Sequence, residues 1–282
     1  MKEPSTPIRA AAAPDLKPVQ RSRTAAEGLE SSAASTADIP MLAAYSLTVG
    51  WGEMIIQQDL SFSVTRGEVF GILGGSGSGK STLMRFLIGL EHPLSGSISI
   101  AGEGAPDLEA GLPPFGVMFQ AGALFGSLTV GENVMLPLTE WTKLSEDGRA
   151  AIARAKLRLV GLEGAMNKYP SELSGGMKKR AAIARALALD PALVFLDEPS
   201  AGLDPVTSAS LDELILSLSK ALGLTVVIIT HELESIFSIA DQVILLDKES
   251  RTCIAAGDPR QLRNDEDPRV RGFFNPRTRE DS

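Results

Sequence analysis

The pattern of apolar and polar residues changes at about residue 39. Residues 1–38 are rich in Ala, Pro, Ser, Thr and charge, with almost no large apolar side chains. Such a segment cannot bury enough surface to offset its ordering entropy, so a disordered N-terminal tail is expected. Beyond it, Leu42 to Val49 and Met54 to Val64 carry short apolar alternations around Gly50 and Gly52, which predicts antiparallel strands. Val69–Leu73, Leu193–Leu196, Val226–Thr230 and Gln242–Leu246 are strand-sized and mainly apolar, as expected for strands buried in a parallel sheet. Ser97–Ala101 and Gly116–Phe119 are further strand candidates. Helical spacing places Ile152, Ala155 and Leu159 on one face of a helix over Ser145–Val160, with Ser145 as its N-cap. Other helices are expected over Ser81–Leu90, Met177–Leu189, Asp212–Ala221 and Leu233–Ala240. Strands alternating with helices imply an α/β fold with a parallel sheet covered on both faces. No internal repeat is visible, so the chain carries one copy of its site.

Composition narrows the classes. The 282 residues, 44% of them hydrophobic, suffice for one large domain. The net charge is −8, and the charges of residues 1–38 balance, so the whole excess is acidic and belongs to the folded part. That disfavours nucleic acid as a partner. A single cysteine, Cys253, allows no internal disulfide and fits a reducing compartment. No apolar run reaches the roughly 20 residues needed to cross a bilayer, and the N-terminus has no apolar core of a secretory signal. A soluble, cytoplasmic protein that acts on a membrane only through a partner is expected.

Two motifs carry chemistry. Gly74-Gly75-Ser76-Gly77-Ser78-Gly79-Lys80-Ser81, followed by Thr82, lies between an expected strand and an expected helix. Glycines in that context turn backbone N–H groups around phosphate oxygens, and the helix N-terminus adds partial positive charge. Lys80 is placed to reach the β and γ phosphates, and the Ser81 hydroxyl to ligate Mg²⁺. In the second motif, the apolar strand Leu193–Leu196 ends in Asp197 and Glu198. Ligands bind at that end of strands in open α/β sheets. Asp197 suits the Mg²⁺ site, and Glu198 suits the general base that polarises an attacking water.

With these residues in order, the chain resembles the ATP-binding subunits of ABC transporters over roughly Leu42 to Gly257. Leu173-Ser174-Gly175-Gly176-Met177 resembles the family signature, with methionine where glutamine is common. Gln120 resembles the Q-loop residue that senses Mg²⁺ and contacts the membrane subunit. Ser200–Asp204 resembles the D-loop, His231 the switch histidine at the γ-phosphate, and Trp51 the aromatic that stacks on adenine, with Tyr45 as its neighbouring competitor. The resemblance implies a P-loop NTPase (RecA-like) core with an antiparallel β-subdomain and an inserted helical subdomain at about 124–180 that carries the signature. The domain would span 39–260, with a C-terminal tail over 261–282. It further implies ATP and Mg²⁺ as ligands and a head-to-tail dimer. In that dimer each ATP lies on the phosphate loop of one copy and under Ser174, Gly175 and Gly176 of the other, with Asp204 also among the nucleotide-binding residues. A separate membrane permease would complete the transporter, which would sit on the cytoplasmic face of the inner membrane.

Three blocks are narrower still. Leu173–Arg180, Gly116–Phe125 and Asp267–Phe274 resemble the ATPases paired with MCE-type lipid-binding proteins, including the bacterial outer-membrane lipid-asymmetry system. This implies phospholipid or another lipid as cargo, and an MCE-type protein and a small accessory subunit as further partners. Importers of small solutes such as amino acids share the same core and are the alternative, ahead of a non-transport ABC ATPase. Lys178, Lys179 and Arg180 stand in the first turn of a helix, where the macrodipole opposes cations. Either they strengthen the anion site at that helix start or they are solvated. The adjacent Phe273-Phe274 is expected to dock on the second subunit of the dimer, with packing on the parent domain as the alternative.

Overall fold

The computed structural model describes residues 39–109 and 111–276, so the expectation for residues 1–38 lies outside the described part. In chain order the strands are β1 (Leu42–Trp51), β2 (Met54–Val64), β3 (Val69–Gly74), β4 (Ser95–Ile100), β5 (Gly116–Met118), β6 (Leu193–Asp197), β7 (Thr225–Ile229), β8 (Gln242–Asp247) and β9 (Thr252–Gly257). The helices are α1 (Lys80–Leu87), α2 (Val130–Trp141), α3 (Glu146–Leu159), α4 (Gly175–Ala186), α5 (Pro205–Leu222), α6 (Leu233–Ile239), α7 (Pro259–Leu262) and α8 (Pro268–Phe274). One sheet has the order β2-β1-β4 and is antiparallel throughout. The other has the order β5-β6-β7-β3-β8-β9, parallel except for the antiparallel edge strand β9.

The two-residue period of the parallel strands divides the core. Val194 and Leu196 of β6, with Val226 and Ile228 of β7, face the helical layer formed by α2 to α5. Leu193 and Phe195, with Val227 and Ile229, face α1 and the antiparallel sheet. Continuous apolar runs are therefore required in these strands, because neither face meets water. A third apolar cluster joins Leu73, Val243 and Leu245 of the sheet to Ile236, Leu262, Val270 and Phe274.

That third cluster corrects the expectation for the C-terminal segment. Asp258 and Asp267 each cap a short helix that has Pro at its first position, and α7 and α8 pack on the domain. Val270 and Phe274 are buried, and the Phe274 ring meets Phe237 of α6 at 6.1 Å. Arg260 donates to the Phe237 and Ala240 carbonyls, tying α7 to the end of α6. Phe274 is thus satisfied within its own domain, where burying one such ring contributes about 1.5–3 kcal/mol, while Phe273 stays half-buried against it and lines the site cavity. On β9, the half-buried Cys253 donates its S–H to the Ala255 carbonyl at 3.1 Å, and burial pushes its thiol pKa up.

Candidate functional site

Strand β7 lies between β6 and β3, so the C-terminal ends of all three open side by side. Residues Gly74–Gly79 leave β3 and enter α1 through Gly79, whose φ of 90° is left-handed. A side chain there would strike Ile56 Cγ2 at 2.4 Å, so both backbone angle and space require glycine. A Cβ on Gly74 would meet Ser78 Oγ at 2.4 Å and the Leu246 carbonyl at 2.7 Å. The buried Gln57 of β2 braces the loop by donating to the Ser78 and Asp247 carbonyls at 2.8 and 3.1 Å. The result is a cavity of about 620 Å³, lined by Ile56, Gly74 to Gly77, Gly79 to Thr82, Gln120, Glu198, His231 and Phe273.

The charged groups of the site are held from several strands. Lys80 Nζ donates to the Gly74 and Gly75 carbonyls at 2.8 and 3.2 Å. Burial pushes the Lys80 ammonium pKa down, while the charges of Glu198 and Asp197 pull it up. Ser81 Oγ donates to Asp197 Oδ1 at 3.1 Å. Burial raises the Asp197 carboxyl; the Ser81 hydrogen bond, Lys80 and Lys179 oppose that rise and the Glu198 charge adds to it. Glu198 is gripped at both oxygens: Thr230 Oγ1 donates to Oε2 at 3.0 Å, and His231 Nδ1 lies 2.7 Å from Oε1. Its backbone φ is 48°, uncommon for a residue with a side chain, and its N–H donates to the Ile229 carbonyl at 2.7 Å.

The residues fit an anionic ligand with a hard divalent cation. Backbone N–H groups of a glycine loop, a helix start and a lysine converge on one cavity. The buried Ser78 Oγ has no protein partner among the described residues. Among those residues no group of three or more His, Cys, Asp or Glu forms a metal cage. The paired Ser81 hydroxyl and Asp197 carboxylate are hard oxygen donors, and Mg²⁺ typically takes one or two carboxylates and completes its shell from phosphate and water.

Not every expected site residue meets here. Trp51, Ser174, Gly175, Gly176 and Asp204 do not line the cavity. Trp51 is 43% exposed, donates to Glu91 and lies 6.0 Å from the Phe86 ring. Ser174 caps α4 by accepting from the Met177 N–H at 3.3 Å. Gly175 has open space except for Leu203 Cδ2, 3.4 Å from a built Cβ, whereas a Cβ on Gly176 would strike Thr207 at 2.5 Å. Asp204 caps α5 through the Thr207 N–H and hydroxyl. The basic residues expected in the first turn fall later in the observed α4, and Lys179 and Arg180 are engaged by protein groups rather than left to solvent. Lys179 reaches back to two carbonyls of the site, and Arg180 donates to the Val160 and Ser210 carbonyls and the Ser210 hydroxyl.

Ile56, Thr230, Lys179 and Phe273 were missed as parts of the site. Thr230 adjoins His231 and ends an apolar run, which was a usable signal. Tertiary packing brings Ile56 and Phe273 to the cavity and lets Lys179, which does not line it, reach two of the site's carbonyls; Lys179 and Phe273 stood out in the sequence, but not for these roles.

Comparison with known proteins agrees with this geometry. The ABC transporter family matches residues 57–201. The chain is 42% identical over 229 residues to the intermembrane phospholipid transport system ATP-binding protein MlaF of Escherichia coli, covering 79% of this chain and 84% of that one. It is 40% identical over 252 residues to the "Probable ribonucleotide transport ATP-binding protein mkl" of Mycobacterium tuberculosis, covering 86% and 70%. Among solved structures, it resembles cbiO1 of Clostridium perfringens, part of the cbiONQ transporter complex. The TM-score is 0.73 at 31% identity, over 79% of this chain and 90% of that one. It also resembles the ATP-binding cassette MJ0796 in a dimeric post-hydrolysis state bound to ADP and Pi. There the TM-score is 0.69 at 30% identity, over 77% and 98%. The chain belongs to the ABC transporter family and is the ATP-binding, ATP-hydrolysing subunit of such a transporter.

Proposed function

We propose that this ATPase energises the movement of phospholipid through a separate membrane permease, working as a pair of identical chains. The gripped carboxylate of Glu198 beside the phosphate cradle is the observation that carries the hydrolytic part. The loop Gly74–Gly79, the start of α1 and Lys80 hold the phosphates of ATP. Ser81, Asp197 and Gln120 would hold Mg²⁺, which when bound neutralises charge on the β and γ oxygens. Glu198 orients a water and takes its proton as the water oxygen bonds to the γ-phosphorus and the bond to the ADP oxygen breaks. Thr230 keeps the carboxylate aimed, and His231 stands beside it at the terminal phosphate. Trp51 would stack on adenine.

The pairing is supported by the separation of Ser174, Gly175, Gly176 and Asp204 from the cavity, since a second copy would bring its own set to the open side. The dimeric cassette MJ0796 supplies a precedent. For the permease, the support lies around Gln120. Phe119 and Phe125 flank it and are 37% and 53% exposed, on a loop that Asn133 of α2 holds by three of its hydrogen bonds. No helix among the described residues is long and apolar enough to cross a membrane. The reading gives the translocation path to the separate permease, with this chain peripheral at the cytoplasmic face. An MCE-type protein and a small accessory subunit would complete the assembly.

Phospholipid is favoured as cargo by the relatives named for intermembrane phospholipid transport in Escherichia coli and Haemophilus influenzae. The mycobacterial relatives, named for ribonucleotide transport, carry the second reading. Isolation of the tagged full chain from native membranes, with its permease, decides between them after reconstitution in vesicles. ATP-dependent transfer of labelled phospholipid is expected. Movement of labelled ribonucleotide without lipid transfer overturns the cargo assignment.

A further inference from the structure

Two loops of the site are bound by one side chain from the helical layer. Lys179 of α4 is buried at 9% exposure, and its Nζ donates to the Gln120 carbonyl at 2.6 Å and the Glu198 carbonyl at 2.9 Å. Both acceptors are backbone atoms, so the ammonium group fixes the course of two loops rather than neutralising a carboxylate. The second loop needs such a hold. Glu198 adopts a left-handed backbone with φ of 48°, a conformation that persists only where the surroundings over-determine it. The first loop is held along its length by the same helix, because Arg185 donates to the Gly122 and Ala123 carbonyls at 2.8 and 2.6 Å.

We propose that Lys179 is a positioning residue for hydrolysis: by tethering the Gln120 and Glu198 backbones to α4, it makes the aim of the Glu198 carboxylate depend on where the helical layer sits. The inference rests on Glu198 acting as the base in the reading above. A purely apolar residue at this position leaves two carbonyls without the donor that now holds them, and buried carbonyls are costly to leave unpaired. Its ammonium also stays in a field that suits it. Burial lowers its pKa, and the charges of Glu198, Asp197 and Glu232 pull it back. This accounts for a buried cation in the second turn of a helix, held there by two charge-assisted hydrogen bonds. Because α4 begins at the signature residues Ser174 to Gly176, any load on that helix start is transmitted through Lys179 to both loops.

The test uses the full chain and its permease with Lys179→Met, Lys179→Gln, Lys179→Arg and Glu198→Gln. Turnover, ATP affinity by titration and melting temperature are measured on each. Lys179→Met is expected to lower kcat by about 30-fold while ATP affinity stays within about twofold, the split of a group that acts on the transition state. Lys179→Arg restores at least about half of the turnover, and Lys179→Gln, with one amide donor group, lies between. The melting temperature moves far less than kcat across the series. Should Lys179→Met fail to fold, the order Arg above Gln in kcat at equal affinity still decides. Wild-type turnover in Lys179→Met or Lys179→Gln overturns the inference alone, provided Glu198→Gln is inactive. Losses of kcat, affinity and melting temperature in step, unrescued by Arg, assign Lys179 a structural role only and also overturn it. Turnover retained in Glu198→Gln removes the base assignment, and this inference falls with it.

Discussion

The phosphate loop and the signature stretch are both glycine-bearing starts of helices, yet the chain treats them differently. Around Gly74–Ser81 the protein closes in. Gln57 braces the loop, Lys80 bonds its carbonyls, and the ends of β6 and β7 bring Asp197, Glu198 and His231 against it. Around Ser174 and Gly175 the protein stops, while Gly176 behind them packs on Thr207. Ser174 does no more than cap its helix, and a Cβ on Gly175 would find nothing nearer than Leu203 at 3.4 Å. The first region is a complete cradle within one chain. The second is an anion-binding terminus with nothing of its own to bind, which is the form expected of half a site.

The largest effect that sharpens this contrast comes from Glu198→Gln. Turnover should fall about 100- to 1,000-fold, because the amide keeps shape without basicity. ATP affinity should hold, and light scattering with ATP should show the paired chain. Retained turnover would assign the base elsewhere, and a monomer with bound ATP would break the pairing. Next, Lys80→Ala should weaken ATP binding about 10- to 100-fold, the scale of losing charge-assisted hydrogen bonds to phosphate. Unchanged affinity in a titration would remove Lys80 from the cradle.

Gly175→Ala should act on the other region alone. It is expected to cut turnover about tenfold while the affinity of a single chain for ATP and its melting temperature stay put, because the methyl group enters open space and crowds only an oncoming partner. A fall in single-chain affinity like that of Lys80→Ala would mean that the two regions share one ligand within one chain.

The smallest effect tests the D-loop side. Asp212 is 5% exposed, accepts from Ser235 Oγ at 2.6 Å and leaves Oδ1 without a protein partner among the described residues. Burial raises its carboxyl pKa, so the folded chain binds this proton more readily than the unfolded one. Its contribution is therefore full below the unfolded value of about 4 and is lost as pH rises through the folded value. Asp212→Asn keeps the Ser235 bond and carries no charge. It should gain about 1 kcal/mol near pH 7, roughly 2–4 °C in melting temperature, and progressively less toward pH 4. An equal gain at both pH values would show that charge plays no part.

The sequence made the parallel core legible because its strands are apolar on both faces; the expected limits of β3, β6, β7 and β8 differ from the observed ones by a residue or so. α3 was found at its expected place with Ser145 as its cap, but its buried face is Ala153, Lys156 and Leu157; of the expected face Ile152 is only half-buried and Ala155 and Leu159 are exposed, because the helix packs through the neighbouring stripe. α2 went unread, since Pro137 lies inside it, although Thr129 and Glu132 form a capping box at its start. α5 begins at Pro205, where Asp204 caps it and proline takes the first position, rather than at Asp212; the weak helix formers Val206, Thr207 and Ser208 concealed that start. α4 begins two residues early for a similar reason: glycines at 175 and 176 conceal a helix that Ser174 caps. The C-terminal helices were read as a tail, though Asp258-Pro259 and Asp267-Pro268 announce them. In the site, the motif residues on the loop and strand ends could be named from order alone. What could not be read were roles that depend on packing from another layer: Lys179 and Phe273 stood out in the sequence, but not as a tether of two loops and a lining of the cavity.

The lone thiol has a practical consequence for spectroscopy. Cys253 is half-buried with its S–H engaged, and burial keeps it protonated, whereas maleimides capture the thiolate. Exposed cysteines introduced near Gly175 and near Phe125 will therefore label first at neutral pH. Distances between fluorophores or spin labels at those positions can follow the helical layer through a nucleotide cycle with the native cysteine left in place.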